Sequence, residues 1–332
     1  MFFPRLEIAD MTKIMTSSYV QSALQTLLFS NENLDKTQQI TSSGLKIGKA
    51  ADNAGYWSTA KNLKSEGNVL SSVGDALSLG ASKVDTTYEG VSSAIDILDK
   101  ITTELITGYE ESTDRDTING SIAALKKNLA SVAQAASFSG DNWLLNTTPQ
   151  LPDSKSIPFS YKKGADGAVS LQYLSIKTSD TVLIDSSDPS RGLFTKATDA
   201  DTLNPNGSGT PREYYLMSPD GATPPGGQEI AISSSTTKEE LDDMVAVVGE
   251  LSAKLKGLGS TLGTMSNRID QQQSFVGALG DSLNKSVSRL VDADMEEEST
   301  KLAAYKSQRD LAVEVVSMAN SFRKSLASLF QG

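Results

Sequence analysis

The chain has 332 residues, with 30 Lys and Arg against 41 Asp and Glu, a formal net charge of −11 at pH 7. So acidic a surface repels nucleic acid and anionic membranes, and neither is an expected partner. There is no cysteine and no histidine, which excludes disulfides, thiolate nucleophiles, Cys- or His-ligated zinc and Ser-His-Asp triads; an enzyme would have to work with carboxylates, Lys, Tyr or Ser alone.

In chain order, residues 1–10 contain a Phe2-Phe3 pair but no apolar core of a secretory signal. They read as an extension ahead of a start at Met11, or as a mis-assigned start. No run approaches the roughly 18–20 apolar residues of a membrane span, so membrane insertion is not expected. In residues 11–50, Val20, Leu24, Leu27 and Leu34 form a weak helical stripe, interrupted at Asn31 and Gln38.

Residues 51–148 carry a heptad. Leu63, Leu70, Leu77, Val84, Val91, Leu98 and Leu105 recur at sevens, with Ala60, Gly67, Gly74, Ala81, Tyr88, Ile95 and Thr102 three residues earlier as the companion row. A helix from Tyr56 to Tyr109 would be roughly 80 Å long. A second helix is predicted from Ile118, Ile122, Leu125, Leu129, Val132 and Ala136, capped by Thr113 or Asp114 and ending near Ser139-Gly140.

Nine of the ten prolines lie between Pro149 and Pro225, and proline costs about 3 kcal/mol inside a helix. Residues 149–235 therefore read as a small β-rich, loop-rich insertion. Strands are predicted at 169–176 and 181–184, with turns at Asn206-Gly207, Asp220-Gly221, Pro224-Pro225 and Gly226-Gly227.

The proline-free C-terminal flank, 236–290, steps strictly by four and three through Leu251, Leu255, Leu258, Leu262, Met265, Ile269, Gln272, Val276, Leu279, Leu283, Ser286 and Leu290. Glu239, Asp242 and Asp243 are predicted for its first turn, where they favour the helix dipole. In 291–332 a last stripe runs through Leu311, Val315, Met318, Phe322, Leu326 and Leu329. The long seams are far apart in sequence and bury each other most economically by folding the chain back on itself. The predicted fold is mainly α: a long antiparallel helical coiled-coil rod made by the two flanks, with the small insertion between them.

Chemical motifs are sparse. The acidic run Asp292, Asp294, Glu296, Glu297, Glu298 lacks the glycine-bearing loop of a calcium site and reads as a solvated helix face. Ser-x-x-Lys recurs, at Ser43, Ser282 and Ser321 among other places, scattered rather than as one acylase pair. No phosphate-cradling glycine loop is present. Asn119, Asn146 and Asn206 each open an Asn-x-Ser/Thr triplet, read as turn chemistry. No catalytic residue, metal or cofactor is assigned. Function is placed on the terminal stripes, which have no evident partner within one chain. Val20, Leu24, Leu27, Leu34, Leu311, Val315, Met318, Phe322, Leu326 and Leu329 are the candidate assembly interface, their short helices ordering when neighbouring copies cover them.

These residues also resemble a family. Ser42-Ser43-Gly44-Leu45-Lys46-Ile47 with Ala51-Asp52-Asn53-Ala54 is similar to the N-terminal signature of bacterial flagellins. Tyr56-Trp57 and the block from Ala136 through Asp141-Asn142-Trp143-Leu144 resemble the α-proteobacterial variant. Asn267-Arg268-Ile269, Asp292-Ala293-Asp294, Glu298-Ser299, Ala319-Asn320 and Ser328-Leu329-Phe330 resemble the C-terminal block. The likeness covers roughly 11–148 and 236–332.

It implies a non-enzymatic, extracellular filament subunit that serves swimming motility and polymerises with itself. Segments 11–50 and 291–332 would form an inner tube, 51–148 and 236–290 the rod, and 149–235 the outside. It further implies passage through the flagellar type III export machinery, an export chaperone on about 302–329, and filament cap and junction proteins as neighbours. A hook–filament junction protein, or a minor co-assembled flagellin, is the alternative. Flagellins usually begin near the counterpart of Met11-Thr12-Lys13-Ile14, which sets residues 1–10 apart.

Overall fold

The computed structural model describes residues 7–110, 112–164, 168–205, 212–218 and 226–329, with backbone alone at 7–19, 169, 323 and 326–329. Phe2, Phe3, the turns at 206–207, 220–221 and 224–225, and the Asn206 triplet lie outside the described residues. Among the described residues the order is α1 (Glu7–Ser43), α2 (Ala54–Thr107) and α3 (Arg115–Ala135), then β1 (Ser137–Phe138), β2 (Asp141–Asn142), β3 (Leu145–Asn146), β4 (Ser154–Lys163), β5 (Val169–Lys177), α4 (Thr178–Thr181), β6 (Ile184–Asp185), β7 (Thr198–Asp199), β8 (Glu213–Tyr215) and β9 (Gln228–Glu229), and finally α5 (Lys238–Val291) and α6 (Met295–Leu329). The helical flanks and the small strand-bearing middle match the predicted fold class. The chain divides into two compact units, residues 69–280 and residues 1–68 with 281–332.

In the 69–280 unit, α2 and α5 run antiparallel. Ser78 Oγ accepts from Gln273 Nε2 at 3.2 Å, Asp85 Oδ1 accepts from Ser266 Oγ at 3.1 Å, and Gly259 lies against Val91 and Tyr88. The predicted rows are buried here: Leu70, Leu77, Val84, Val91, Leu98 and Leu105 on α2, and Leu251, Leu255, Leu258, Leu262, Met265, Ile269 and Val276 on α5.

The companion row on α2 is corrected. Its members are Val73, Gly80, Thr87, Ala94 and Ile101, with Gly108 just past the helix end, three residues after each heptad position rather than before; Tyr88 is exposed. The reason is that α2 also buries a flank under the middle of the chain. At Gly80 there is no room for a Cβ beside Ile157 of β4, and at Gly90 none beside Leu144 and Ala136.

α3 is capped by Asp114, whose side chain accepts from Asp116 N at 3.1 Å. Beyond its C-terminus, β1 and β2 form a hairpin turned by Ser139 and Gly140, both with positive φ (53° and 80°), the pattern of a type I′ turn. Asn142 Nδ2 donates to Ala133 O at 2.7 Å, satisfying an open carbonyl at the end of α3.

Strand β4 was not anticipated, because Pro158, three lysines and three serines obscure its alternation; Pro158 sits at a bulge in the antiparallel β4–β5 hairpin. The strand predicted at 181–184 is corrected to the end of α4 followed by β6, which pairs in parallel with β3. Thr178–Thr181 closes a helical turn instead, with Val182 N bonded to Thr178 O at 3.1 Å. α5 begins with a capping box: Thr237 N donates to Glu240 Oε2 at 2.7 Å and Glu240 N to Thr237 Oγ1 at 3.2 Å. Its first turn holds Glu239 and Glu240; Asp242 and Asp243 fall one turn later.

Polar hubs tie the middle down. Asp141 accepts from Lys83 Nζ at 3.1 Å, Lys155 Nζ at 2.7 Å and the indole N–H of Trp143 at 3.1 Å. Burial works to raise its pKa, but these hydrogen bonds and the Lys155 charge prevail and bring it from 3.8 down to about 2. A depressed carboxylate stabilises the fold above its unfolded pKa and loses that contribution as pH falls through the folded value. Asp141→Asn is therefore expected to lower the urea midpoint at neutral pH, with the deficit closing between pH 3.8 and about 2. A deficit independent of pH would assign the loss to packing alone.

Candidate assembly surface

The second unit contains both chain ends, and its geometry starts at the two linkers. Gly44, with φ +70°, ends α1 in the left-handed conformation that glycine tolerates. Lys46 N and Ile47 N donate to Val291 O at 2.8 and 3.3 Å, and Ala293 N donates to Gly44 O at 2.9 Å. Leu45 and Asp292 form an antiparallel bridge, and Lys46 Nζ reaches Arg289 O at 3.0 Å. Beneath them Ile47, Ala60 and Val291 make a small core with Leu45, Trp57, Val287 and Leu290.

Side chains of the two linkers act locally. Asp52 accepts from Gly48 N and Lys49 N at 3.0 Å each, and Asn53 accepts from Tyr56 N at 3.1 Å, capping α2. Asp294 caps α6 through Glu296 N at 3.0 Å. The acidic run thus does helix-end work. Glu298 is buried and takes Lys301 Nζ at 2.8 Å, and the paired carboxylates hold the Lys301 pKa above its ordinary value. Among the described residues no group of three or more acidic residues is placed to hold a metal ion.

From this junction α1 and α6 run antiparallel and pack on each other. That corrects the expectation that the terminal stripes lack a partner within one chain. The α1 row covered in this unit is Val20, Ala23, Leu27, Ser30, Leu34 and Thr37. It is offset by one residue at alternate turns from the predicted row, so Asn31 and Gln38 no longer interrupt it; Ser30 and Thr37 take their place. On α6 the covered row is Leu302, Tyr305, Arg309, Ala312, Val316 and Ala319.

Val20 and Leu27 are accordingly half-buried, and Leu34 is 4% exposed inside the monomer, so it offers no free surface. The rest of the α6 stripe stands one residue away from the covered row. Leu311 (62%), Val315, Met318 (57%) and Phe322 (55%) are all exposed. On α1 the exposed apolar residues are Leu24 with Leu28 and Phe29; these last two were missed because no regular spacing joins them to a long stripe. A groove of about 350 Å³ runs between the helices, lined by Ala23 and Thr26 on α1 and by Leu311, Ala312 and Val315 on α6. Leu326 and Leu329 lie on α6, their side chains outside the described residues.

The covered seam is poor. The Ser30 hydroxyl is fully buried without a hydrogen-bond partner. Thr26, Asn33, Thr41 and Ser43 each turn a side chain back onto the carbonyl four residues earlier, which weakens and bends helices. Large apolar side chains are thus left on the outer surface of this pair while small and polar ones interrupt its seam. The triplets at Asn119 and Asn146 are engaged internally: Asn119 Oδ1 accepts from Ile232 N at 3.2 Å, and buried Asn146 donates to Asp185 at 2.8 Å.

Helical flanks, joined chain ends with a greasy outer face and a small strand-bearing middle define a structural protein organised around association. Residues 14–148 match the model of the bacterial flagellin N-terminal helical region, and 245–330 that of the C-terminal helical region. Flagellin C of Rhizobium meliloti is 46% identical over 321 residues, 97% of this chain and 100% of that protein. Flagellin A of the same strain and a flagellin of Brucella melitensis are each 34% identical, again over 97% of this chain and 100% of theirs. The chain belongs to the bacterial flagellin family, in its α-proteobacterial group. It is a self-assembling structural subunit of the extracellular flagellar filament, and the junction-protein alternative is not favoured. Among the described residues no helix is long and apolar enough to cross a membrane.

Proposed function

We propose that copies join in the filament through the outer face of the α1–α6 pair: Leu24, Leu28 and Phe29 on α1, and Leu311, Val315, Met318 and Phe322 on α6, with Leu326 and Leu329 continuing the row. The supporting observation is the exposed α6 row, at helical spacing and directly beside the row that α1 covers. Burial of apolar surface contributes about 25 cal/mol per Å², and neighbouring copies supply it where the seam does not. The terminal pair is marginal in the monomer and gains its full order on assembly.

In this reading 11–50 and 291–332 are inner-tube segments, 51–148 and 236–290 the surrounding rod, and 149–235 the outward part. The grouping of both chain ends into one compact unit supports this division. The export machinery, an export chaperone on the last helix, and the cap and junction proteins enter as partners through family resemblance. The absence of His and Cys agrees with a purely structural role.

The test is a charge placed on the row. Leu311→Asp with Phe322→Asp is expected to leave the monomer's circular dichroism unchanged and to stop growth on filament seeds, followed by electron microscopy. Growth at the wild-type rate would remove this surface from the interface.

A further inference from the structure

The chain has eight methionines and no cysteine, so no thiol is present to meet an oxidant first. Of the five methionines with described side chains, Met217, Met244 and Met265 are buried in the core, whereas Met295 and Met318 are 44% and 57% exposed. Their settings differ. Met295 opens α6 beside the acidic residues Glu296, Glu297 and Glu298, a polar neighbourhood in which a further polar group changes little. Met318 stands between Val315 and Phe322 in the exposed apolar row.

We propose that Met318 is an oxidation-sensitive modification site: a peroxide converts it to the sulfoxide in the free subunit and thereby blocks addition to the filament. This rests on the reading of the α6 row as an assembly surface. In the reaction the thioether sulfur is oxidised by two electrons as the peroxide O–O bond breaks. One oxygen forms the S=O bond and the other leaves as water. A flexible apolar side chain becomes a polar acceptor in a face that must be desolvated. Polymerised copies bury Met318 and are protected, so the device acts on subunits before incorporation. Nothing comparable follows oxidation of Met295, and the core methionines react only when the fold opens.

The test uses full-length monomer and filament seeds. Mild hydrogen peroxide is expected to add one oxygen at Met318, seen by peptide mass spectrometry, before it reaches Met217, Met244 or Met265. Seeded growth should then fall about tenfold or more, the ratio that burial of one unpaired polar group entails. Met318→Leu should grow after the same treatment as fast as it grows before it, Met318→Gln should grow slowly untreated, and Met295→Leu should give no protection. Should Met318→Leu fail to fold, reduction of the oxidised wild type by the two methionine sulfoxide reductases together, one for each sulfoxide epimer, gives an independent readout, and growth must return. Loss of growth in treated Met318→Leu, normal growth of Met318→Gln, or no recovery on reduction would each overturn the proposal. Phe322→Asp, untreated, separates the two readings. If it stalls while Met318→Gln grows, the assembly surface stands and only the oxidation site falls; if both grow at the wild-type rate, both fall.

Discussion

Deleting residues 311–332 is expected to abolish filament growth while leaving the 69–280 unit folded. The deletion removes the exposed row from Leu311 through Phe322 together with Ala312, Val316 and Ala319 of the α1–α6 seam. It removes no residue of the 69–280 unit, whose core is the buried rows of α2 and α5 with Trp143, Leu144, Phe194 and Tyr214. Amide exchange should therefore stay slow at Leu77–Leu105 and Leu251–Ile269 and become fast along α1, which loses its partner helix. Seeded polymerisation should be undetectable. Filaments grown from the truncated chain would show that the assembly contacts lie elsewhere. Collapse of protection on α2 and α5 would show that the ends hold the other unit together.

Arg212→Met is expected to destabilise the 69–280 unit by more than the loss of an exposed ion pair does, because it leaves the Asp243 carboxylate without its cation. The Arg212 guanidinium donates to Asp243 from Nε at 3.0 Å and from Nη2 at 2.7 Å, and Nη2 also reaches Asn204 O at 2.7 Å. Arg212 also bonds Asp201, and Asn204 Nδ2 donates to Asp243 Oδ1 at 2.8 Å. The Asp243 side chain is 2% exposed. Burial favours its neutral form, but hydrogen bonds from Arg212 and Asn204 hold its pKa below the ordinary value, and Arg212 is pushed above its own. The cluster fastens the segment around β8 to α5. Urea unfolding should show the loss. Arg212→Met with Asp243→Leu should recover most of it, because the pair together contributes far less than its rupture costs. A single-variant loss of under about 1 kcal/mol, the range of exposed pairs, would mean that water replaces Arg212 at Asp243.

The regular rows were legible in the primary structure. Leu251 through Ile269 are buried as their unbroken four-three spacing requires, since a stripe of that regularity has one face to hide. Capping was legible in part: Asp114 at α3 follows from local chemistry, whereas the Thr237–Glu240 box at α5, just as local, emerged only in the structure. The freedom of α2, α3 and α5 from proline was likewise legible.

The flagellin-like signatures were recognisable as strings, but their physical work was not. Gly44-Leu45-Lys46-Ile47 and Asp292-Ala293 prove to be the two sides of one bridge, some 250 positions apart, and no periodicity announces such a meeting. The apolar character of α1 and α6 was plain from their composition. Which row each helix turns inward was decided only in three dimensions, because adjacent rows on a helix differ by one residue and both contain apolar side chains. Packing chose the row with Ser30 and Ala312, and so left Leu311, Val315, Met318 and Phe322 outside. Identity, helical flanks and a polymer-forming role were thus encoded locally in spacing and composition. The free surface was set by long-range packing, which depends on where distant segments of the same chain come to rest.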